Sequence, residues 1–217
     1  MPEFPTVIFD FDYTLADSSQ GVVGCITYAL AALGLPAASD QEARRTIGLS
    51  LTNTFVHLTG RQPGEQSAAF EQLFIERAEE VMVDGTVLFA TVPGTIERLT
   101  RCGIAVGIVS TKFRRRIKET LERDGMDGRF PVIVGGEDVA AHKPDPEGLL
   151  AAIERLGGSL DRTLYVGDSV IDAETAKRAQ VRFAAVLSGM TPEEDFVPYA
   201  PWAVLRDLVL LPDSLGC

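Results

Sequence analysis

At 217 residues, 46 % hydrophobic and 24 % charged, the chain can bury a sizeable core, which excludes disorder as its main state. Twenty Lys and Arg against 31 Asp and Glu give a formal charge of −11. That balance excludes non-specific binding to nucleic-acid backbones and leaves any anionic substrate in need of a local cation.

The first apolar run is Thr6-Val7-Ile8-Phe9-Asp10-Phe11. It is short, rich in β-branched and aromatic residues, and not alternating, as expected of a strand buried on both faces. From about residue 17 to residue 84 no strand pattern occurs. Gly21 to Leu33 is apolar and of helical length, and Ala68 to Val83 places Phe70, Leu73, Phe74, Ala78 and Val81 on one helical stripe. Gly34, Pro36, Gly60 and Pro63-Gly64 cut the segment into about four helices. The pattern predicts a helical domain over residues 17–84, inserted after the first strand, with hinges near Ala16-Asp17 and Asp84-Gly85. Residues 1–16 and 85–217 then form the core domain. Further strands are predicted at Ile104–Val109, Val132–Val134, Thr163–Val166 and Phe183–Val186. Asp145-Pro146-Glu147 predicts a helix with Asp145 as N-cap and proline at the first helical position, running to Gly157-Gly158. Strands alternating with helices over short connections predict an α/β fold with a parallel sheet.

The polar residues at the ends of these runs carry the chemistry. The first run ends in Asp10 and Asp12, the second in Ser110-Thr111-Lys112, and the fourth in Gly167-Asp168-Ser169, with Asp172 following; Lys143 comes after the third. Ligands of open α/β sheets bind outside the carboxyl ends of the strands, so four strand ends aim carboxylates, hydroxyls and amines at one crevice. An Asp after a strand is ordinarily a cap or turn residue; its recurrence at several strand ends is what favours a site. In an extended strand Asp10 and Asp12 would share one face, and two such carboxylates repel unless a cation or proton lies between them. With Asp168 they offer the hard oxygen donors that Mg²⁺ prefers, and Mg²⁺ would make the acidic pocket a phosphate receiver. Lys143, its backbone restrained in Lys-Pro-Asp-Pro, would add positive charge.

Asp10-Phe11-Asp12-Tyr13-Thr14-Leu15 resembles the D-x-D-x-T signature of haloacid dehalogenase-like hydrolases, and Ser110, Lys143 and Gly167-Asp168-Ser169-x-x-Asp172 resemble the three later motifs in their order. The inserted helices resemble the cap of phosphoglycolate phosphatase-like and β-phosphoglucomutase-like members. The resemblance implies a Rossmann-like parallel sheet core flanked by helices, with an α-helical cap, and a Mg²⁺-dependent phosphatase acting on a small phosphorylated metabolite. It implies that Asp10 is the nucleophile, forming an aspartyl-phosphate, and that Asp12 protonates the leaving oxygen and then deprotonates water. Ser110, with Thr111 beside it, and Lys143 would bind the phosphoryl group. Asp10, Asp168 and the backbone carbonyl of Asp12 would hold Mg²⁺, Asp172 would support them, and Thr14 would order the loop. Thr111 stands where many relatives have Asn, and Tyr13 where Gly is common. Asp12 argues against dehalogenation, which needs no proton on its leaving group.

Arg45 and Ser50, in Arg45-Thr46-Ile47-Gly48-Leu49-Ser50, are candidates for the cap's substrate loop, with ordinary helix surface and turn the equal alternative. The basic run Lys112–Lys118 reads as a solvated helix face, Lys112 being its member expected to turn toward the site. His57 and His142 have no partner at metal-ligand spacing, and Cys25, Cys102 and Cys217 read as reduced thiols. A phosphomutase on the same residues is the alternative reading, and a phosphoryl-Asp signalling module a more distant one. No nucleic-acid or membrane partner is expected. The absence of an 18-residue apolar window and of a signal-peptide pattern at Met1-Pro2-Glu3-Phe4-Pro5 leads to the expectation of a cytoplasmic protein. A monomer is the default, a homodimer the alternative.

Overall fold

Strand β1 (Thr6–Phe9) is buried along its whole length and hydrogen-bonds in parallel on both sides, which explains its unbroken apolar character. The computed structural model describes residues 2–217. In chain order β1 is followed by β2 (Ala16–Asp17), α1 (Ser19–Ala32), α2 (Asp40–Arg44), α3 (Leu51–Thr59), α4 (Glu65–Val81) and β3 (Val87–Leu88). Then come α5 (Val92–Arg101), β4 (Ala105–Val109), α6 (Arg114–Arg123), β5 (Val132–Val134), α7 (Glu147–Arg155), β6 (Thr163–Gly167), α8 (Val170–Ala179), β7 (Arg182–Val186), β8 (Ala203–Leu205) and α9 (Leu211–Ser214). The contact pattern divides the chain into two compact units, one of residues up to Ala16 with Leu88–Cys217, the other of Asp17–Val87.

The first unit is built on a six-stranded parallel sheet of order β5-β4-β1-β6-β7-β8. Side chains alternate across it: Val7 and Phe9 enter one apolar cluster with Ile96 and Leu99 of α5 and Ile117 and Leu121 of α6. Ile8 enters the opposite cluster with Leu149 and Ile153 of α7 and Ala173 and Ala176 of α8. The architecture is the α/β, Rossmann-like parallel sheet with helices on both faces that the strand and helix alternation predicts. Two details differ. The sixth strand, β8, was not legible as a run because it is short and only partly buried. Helix α7 starts at Glu147 with Pro146, not Asp145, at the N-cap position, while the Asp145 carboxylate accepts from Glu147 N at 3.0 Å.

The second unit is helical. Val22, Cys25 and Ile26 of α1, Phe55 of α3, and Phe70, Phe74 and Ala78 of α4 form its core. Gly85 closes it, because a Cβ there would stand 2.8 Å from Gly21 Cα. The three cysteines are free thiols. No described helix is long and apolar enough to cross a membrane.

Candidate active site

The sheet order places β1 between β4 and β6, so the chain crosses to one side of β1 and later to the other. Such a reversal leaves a crevice at the strand ends. Asp10 sits there, its N–H still donating to Val166 O at 2.9 Å. The chain then turns instead of continuing extended. Leu15 N and Ala16 N both donate to Phe11 O, at 2.8 and 3.0 Å, and Tyr13 N donates to Ala16 O at 2.7 Å. Tyr13 has φ 62, a left-handed conformation that costs a non-glycine residue about 1 kcal/mol. It explains why glycine suits this position, and the Ser188 hydroxyl, which donates to Tyr13 O, helps hold the turn. The turn follows Phe11, which packs with Val7 and Phe9 on the opposite face from Asp10, and the two carboxylates of the motif each take their own lysine.

Lys143 Nζ lies 2.8 Å from Asp10 Oδ1 and 2.7 Å from Asp172 Oδ1. Asp172 also accepts from the Tyr165 hydroxyl at 3.0 Å, and its Oδ2 accepts from Ser169 Oγ at 2.5 Å and Ser169 N at 3.2 Å. The bond from Ser169 N, with the one that Asp172 N donates to Ser169 Oγ at 3.2 Å, forms the capping box that starts α8, so one carboxylate both caps a helix and holds Lys143. Asp168 Oδ1 accepts from Thr14 Oγ1 at 3.1 Å, tying the fourth motif to the first loop. Burial pushes Asp10 from 3.8 up to about 7; the pull of Lys143 offsets this in part, while Asp172 and Asp12 add to it. Burial, then the Asp172 and Asp10 charges, raises Asp168 well above the usual carboxylate range. Burial opposes the charge on Lys143, but Asp10 and Asp172 outweigh it and hold the ammonium above the usual lysine range. Burial likewise raises the Tyr165 phenol, keeping it a proton donor to Asp172.

Oxygens of Asp10, Asp168 and Asp172, all buried, lie within 4.8 Å of one another. Burial pushes Asp10 and Asp168 toward their protonated forms, and a hard divalent cation would supply the positive charge that the crowded carboxylates lack. The donor set therefore fits a divalent metal. The Asp12 carboxylate is not in this group, so Asp12 could join it only through its backbone carbonyl.

Asp12 instead meets Lys112, whose Nζ lies 2.9 Å from Oδ1 and 3.2 Å from Oδ2. Ser110, at the end of β4, is buried, and its Oγ accepts from Lys112 N at 3.3 Å. Thr111 is half-buried beside it. In the rest of the basic run Arg115 pairs with Glu119 at 3.0 Å and Arg114 with Asp138 at 2.8 Å on the helix surface, but Arg116 is buried over Phe113, which breaks the expected solvated face. In the helical unit Arg45 is the exposed C-cap of α2, and Ser50 is the N-cap of α3, accepting from Asn53 N at 3.3 Å. Tyr165 and Gly189 escaped the sequence reading. Tyr165 looked like one more apolar strand residue, although a phenol in an otherwise aliphatic buried strand needs a polar partner. Gly189 packs so closely on Asp168 that a Cβ would lie 1.9 Å from Oδ2.

Residues 7–186 match the family model of haloacid dehalogenase-like hydrolases. The chain belongs to that family. A phosphoglycolate phosphatase of Yersinia pestis is 31 % identical over 97 % of this chain and 92 % of its own. One of Salmonella typhimurium is 34 % identical over 80 % of this chain and 77 % of its own. Among solved structures, a Bacteroides fragilis protein assigned as a haloacid dehalogenase-like hydrolase superposes with a TM-score of 0.93 at 43 % identity, covering 96 % of this chain and 99 % of that one. This haloacid dehalogenase-like hydrolase is, by those relatives, a phosphatase.

Proposed function

We propose that the protein is a Mg²⁺-dependent phosphatase of the cytoplasm that hydrolyses a small phosphomonoester, with 2-phosphoglycolate the first candidate, through an aspartyl-phosphate on Asp10. The observation that carries this reading is the separation of the two carboxylates of the first motif. Asp10 lies against Lys143 inside the Asp168–Asp172 cluster, and Asp12 lies outside it on Lys112. That division supports Asp10 as the nucleophile and Asp12 as the group that moves protons.

Asp10, Asp168 and the backbone carbonyl of Asp12 would hold the metal, with Asp172 in support. Bound there, Mg²⁺ would supply charge neutralisation for the phosphoryl oxygens. A carboxylate oxygen of Asp10 attacks phosphorus, and the ester P–O bond breaks. Asp12 gives its proton to the departing oxygen, so the alcohol leaves neutral. Asp12, now a carboxylate, takes a proton from the water that attacks the aspartyl-phosphate, which frees Asp10 and inorganic phosphate. Lys143, held by Asp172 and Tyr165, keeps a positive charge beside the transferring group, and Ser110 donates to it. The relatives named phosphoglycolate phosphatase support the substrate class. The test is phosphate release from a panel of phosphomonoesters including 2-phosphoglycolate, with Mg²⁺ and with EDTA. Mg²⁺-dependent turnover abolished in a folded Asp10→Asn protein is expected; turnover retained by Asp10→Asn overturns the reading.

A further inference from the structure

We infer that Lys112 is a positioning residue for proton transfer, fixing the Asp12 carboxylate on the leaving-group side of the site; this rests on the phosphatase reading above. Lys112 Nζ spans both Asp12 oxygens, at 2.9 and 3.2 Å, with the two side chains only 4 % and 8 % exposed. Lys112 is itself anchored at both ends of its backbone unit: its N–H donates to Ser110 Oγ at 3.3 Å, and its carbonyl accepts from Gly136 N at 3.1 Å. The tether therefore runs from the phosphoryl-binding strand end of β4 to the first loop, across 100 positions of sequence.

The two buried lysines divide the work. Lys143 faces Asp10 and Asp172, and Lys112 faces Asp12 and the Phe11 ring. Without Lys112, Asp12 loses the partner that spans both its oxygens and gains freedom about its side-chain torsions. A misplacement of about 1 Å in a proton-transfer group costs on the order of 100-fold in rate. General acid–base catalysis as a whole is worth about 10²–10⁴-fold. Lys112→Met keeps the length of the side chain and removes its charge. It is expected to lower kcat on an alkyl phosphate about 100-fold with KM changed less than about threefold. With p-nitrophenyl phosphate, whose leaving group needs no proton, the first burst of p-nitrophenolate should persist while later turnovers slow, because water attack on the aspartyl-phosphate still needs Asp12 as base.

The deciding experiment is a double-mutant cycle on kcat with Asp12→Asn, Lys112→Met and the pair together, with Lys112→Arg as the conservative variant. If Lys112 acts through Asp12, Lys112→Met costs nothing further in the Asp12→Asn background, and Lys112→Arg restores part of the lost rate. Additive losses, an equal loss of the p-nitrophenolate burst, or no loss at all would overturn the inference. Should Lys112→Met fail to fold, the double variant, which buries no lone charge, decides by its equality with or loss from Asp12→Asn. A wild-type enzyme that releases no phosphate from any ester would refute the phosphatase reading instead, so the two failures are separable.

Discussion

Gly189→Ala tests the proposed metal cluster without replacing any of its carboxylates. The new methyl would stand 1.9 Å from Asp168 Oδ2, 2.7 Å from Cγ and 3.0 Å from Cβ, where ordinary contact begins near 3.4 Å. The carboxylate or the 188–190 turn must yield by about 1.5 Å to reach that contact. Neither is free to do so. Asp168 is 5 % exposed and held on Oδ1 by Thr14 at 3.1 Å, and the turn is tied to the first loop by Ser188 on Tyr13. Metal sites tolerate ligand displacements of only about 0.2 Å. A shift several times larger should raise the Mg²⁺ half-saturation for phosphate release about 10- to 100-fold, the range seen when groups behind a ligand are changed. The cost in stability from overpacking should be about 1–3 kcal/mol. Gly94→Ala is the matched control: no atom lies within 4 Å of its added methyl, and in α5 it should stabilise by about 0.5 kcal/mol with no change in Mg²⁺ dependence. The assays are Mg²⁺ titration of turnover and the Mg²⁺-induced rise in melting temperature. Wild-type values of both in Gly189→Ala would refute the placement of Asp168 on the metal.

Three further outcomes follow from the same geometry. With Asp10 pushed up to about 7 in the folded, metal-free protein from 3.8 when unexposed to that environment, the folded state binds more protons between those values. Stability of the metal-free protein should therefore be highest at the acid end of that window and fall as pH rises through about 7, by a few kcal/mol at most. Mg²⁺ competes with those protons, so its stabilising effect should grow from pH 5 to pH 8; thermal melts with Mg²⁺ and with EDTA check this, and a shift larger at low pH contradicts it. Phe70 is fully buried, with ring centroids 5.6 Å from Phe55 and 6.4 Å from Phe74, so Phe70→Ala should destabilise the helical unit by about 3–5 kcal/mol in urea unfolding; a loss below about 1 kcal/mol would contradict its place in that core. Tyr165→Phe removes the donor 3.0 Å from Asp172 Oδ1 and should cost about 1–2 kcal/mol with the fold kept and kcat lowered; unchanged melting and unchanged kcat would show the hydroxyl to be idle.

The parallel sheet was legible because its five long-buried strands are apolar without alternation, and the helical insert because Phe70, Phe74 and Ala78 recur at helical spacing. What escaped did so for local reasons. β8 lies at the sheet edge, where partial exposure dilutes the apolar signal. The turn at Tyr13 was hidden because a tyrosine is a poor signal for a positive φ. Lys112 was legible as the member of the basic run that turns toward the site, since it precedes α6 and escapes that helix's solvent-facing periodicity, but its partner was not. Its burial depends on Asp12, a partner from the other end of the unit, and no local pattern encodes such a pairing.

Charge balance ties these pieces together. Asp10, Asp12, Asp168 and Asp172 face two lysines in the buried site, so the site carries two more negative than positive groups when all are ionised. A phosphate ester would meet repulsion there, on a chain already at −11. One divalent cation cancels the excess, and it enters where the excess is concentrated, among Asp10, Asp168 and Asp172. Asp12 is exempt because Lys112 has already matched it. The acidic composition and the demand for a metal thus have the same origin. The protein gathers carboxylates at the ends of β1 and β6, and it supplies lysine only where a carboxylate must be held in place.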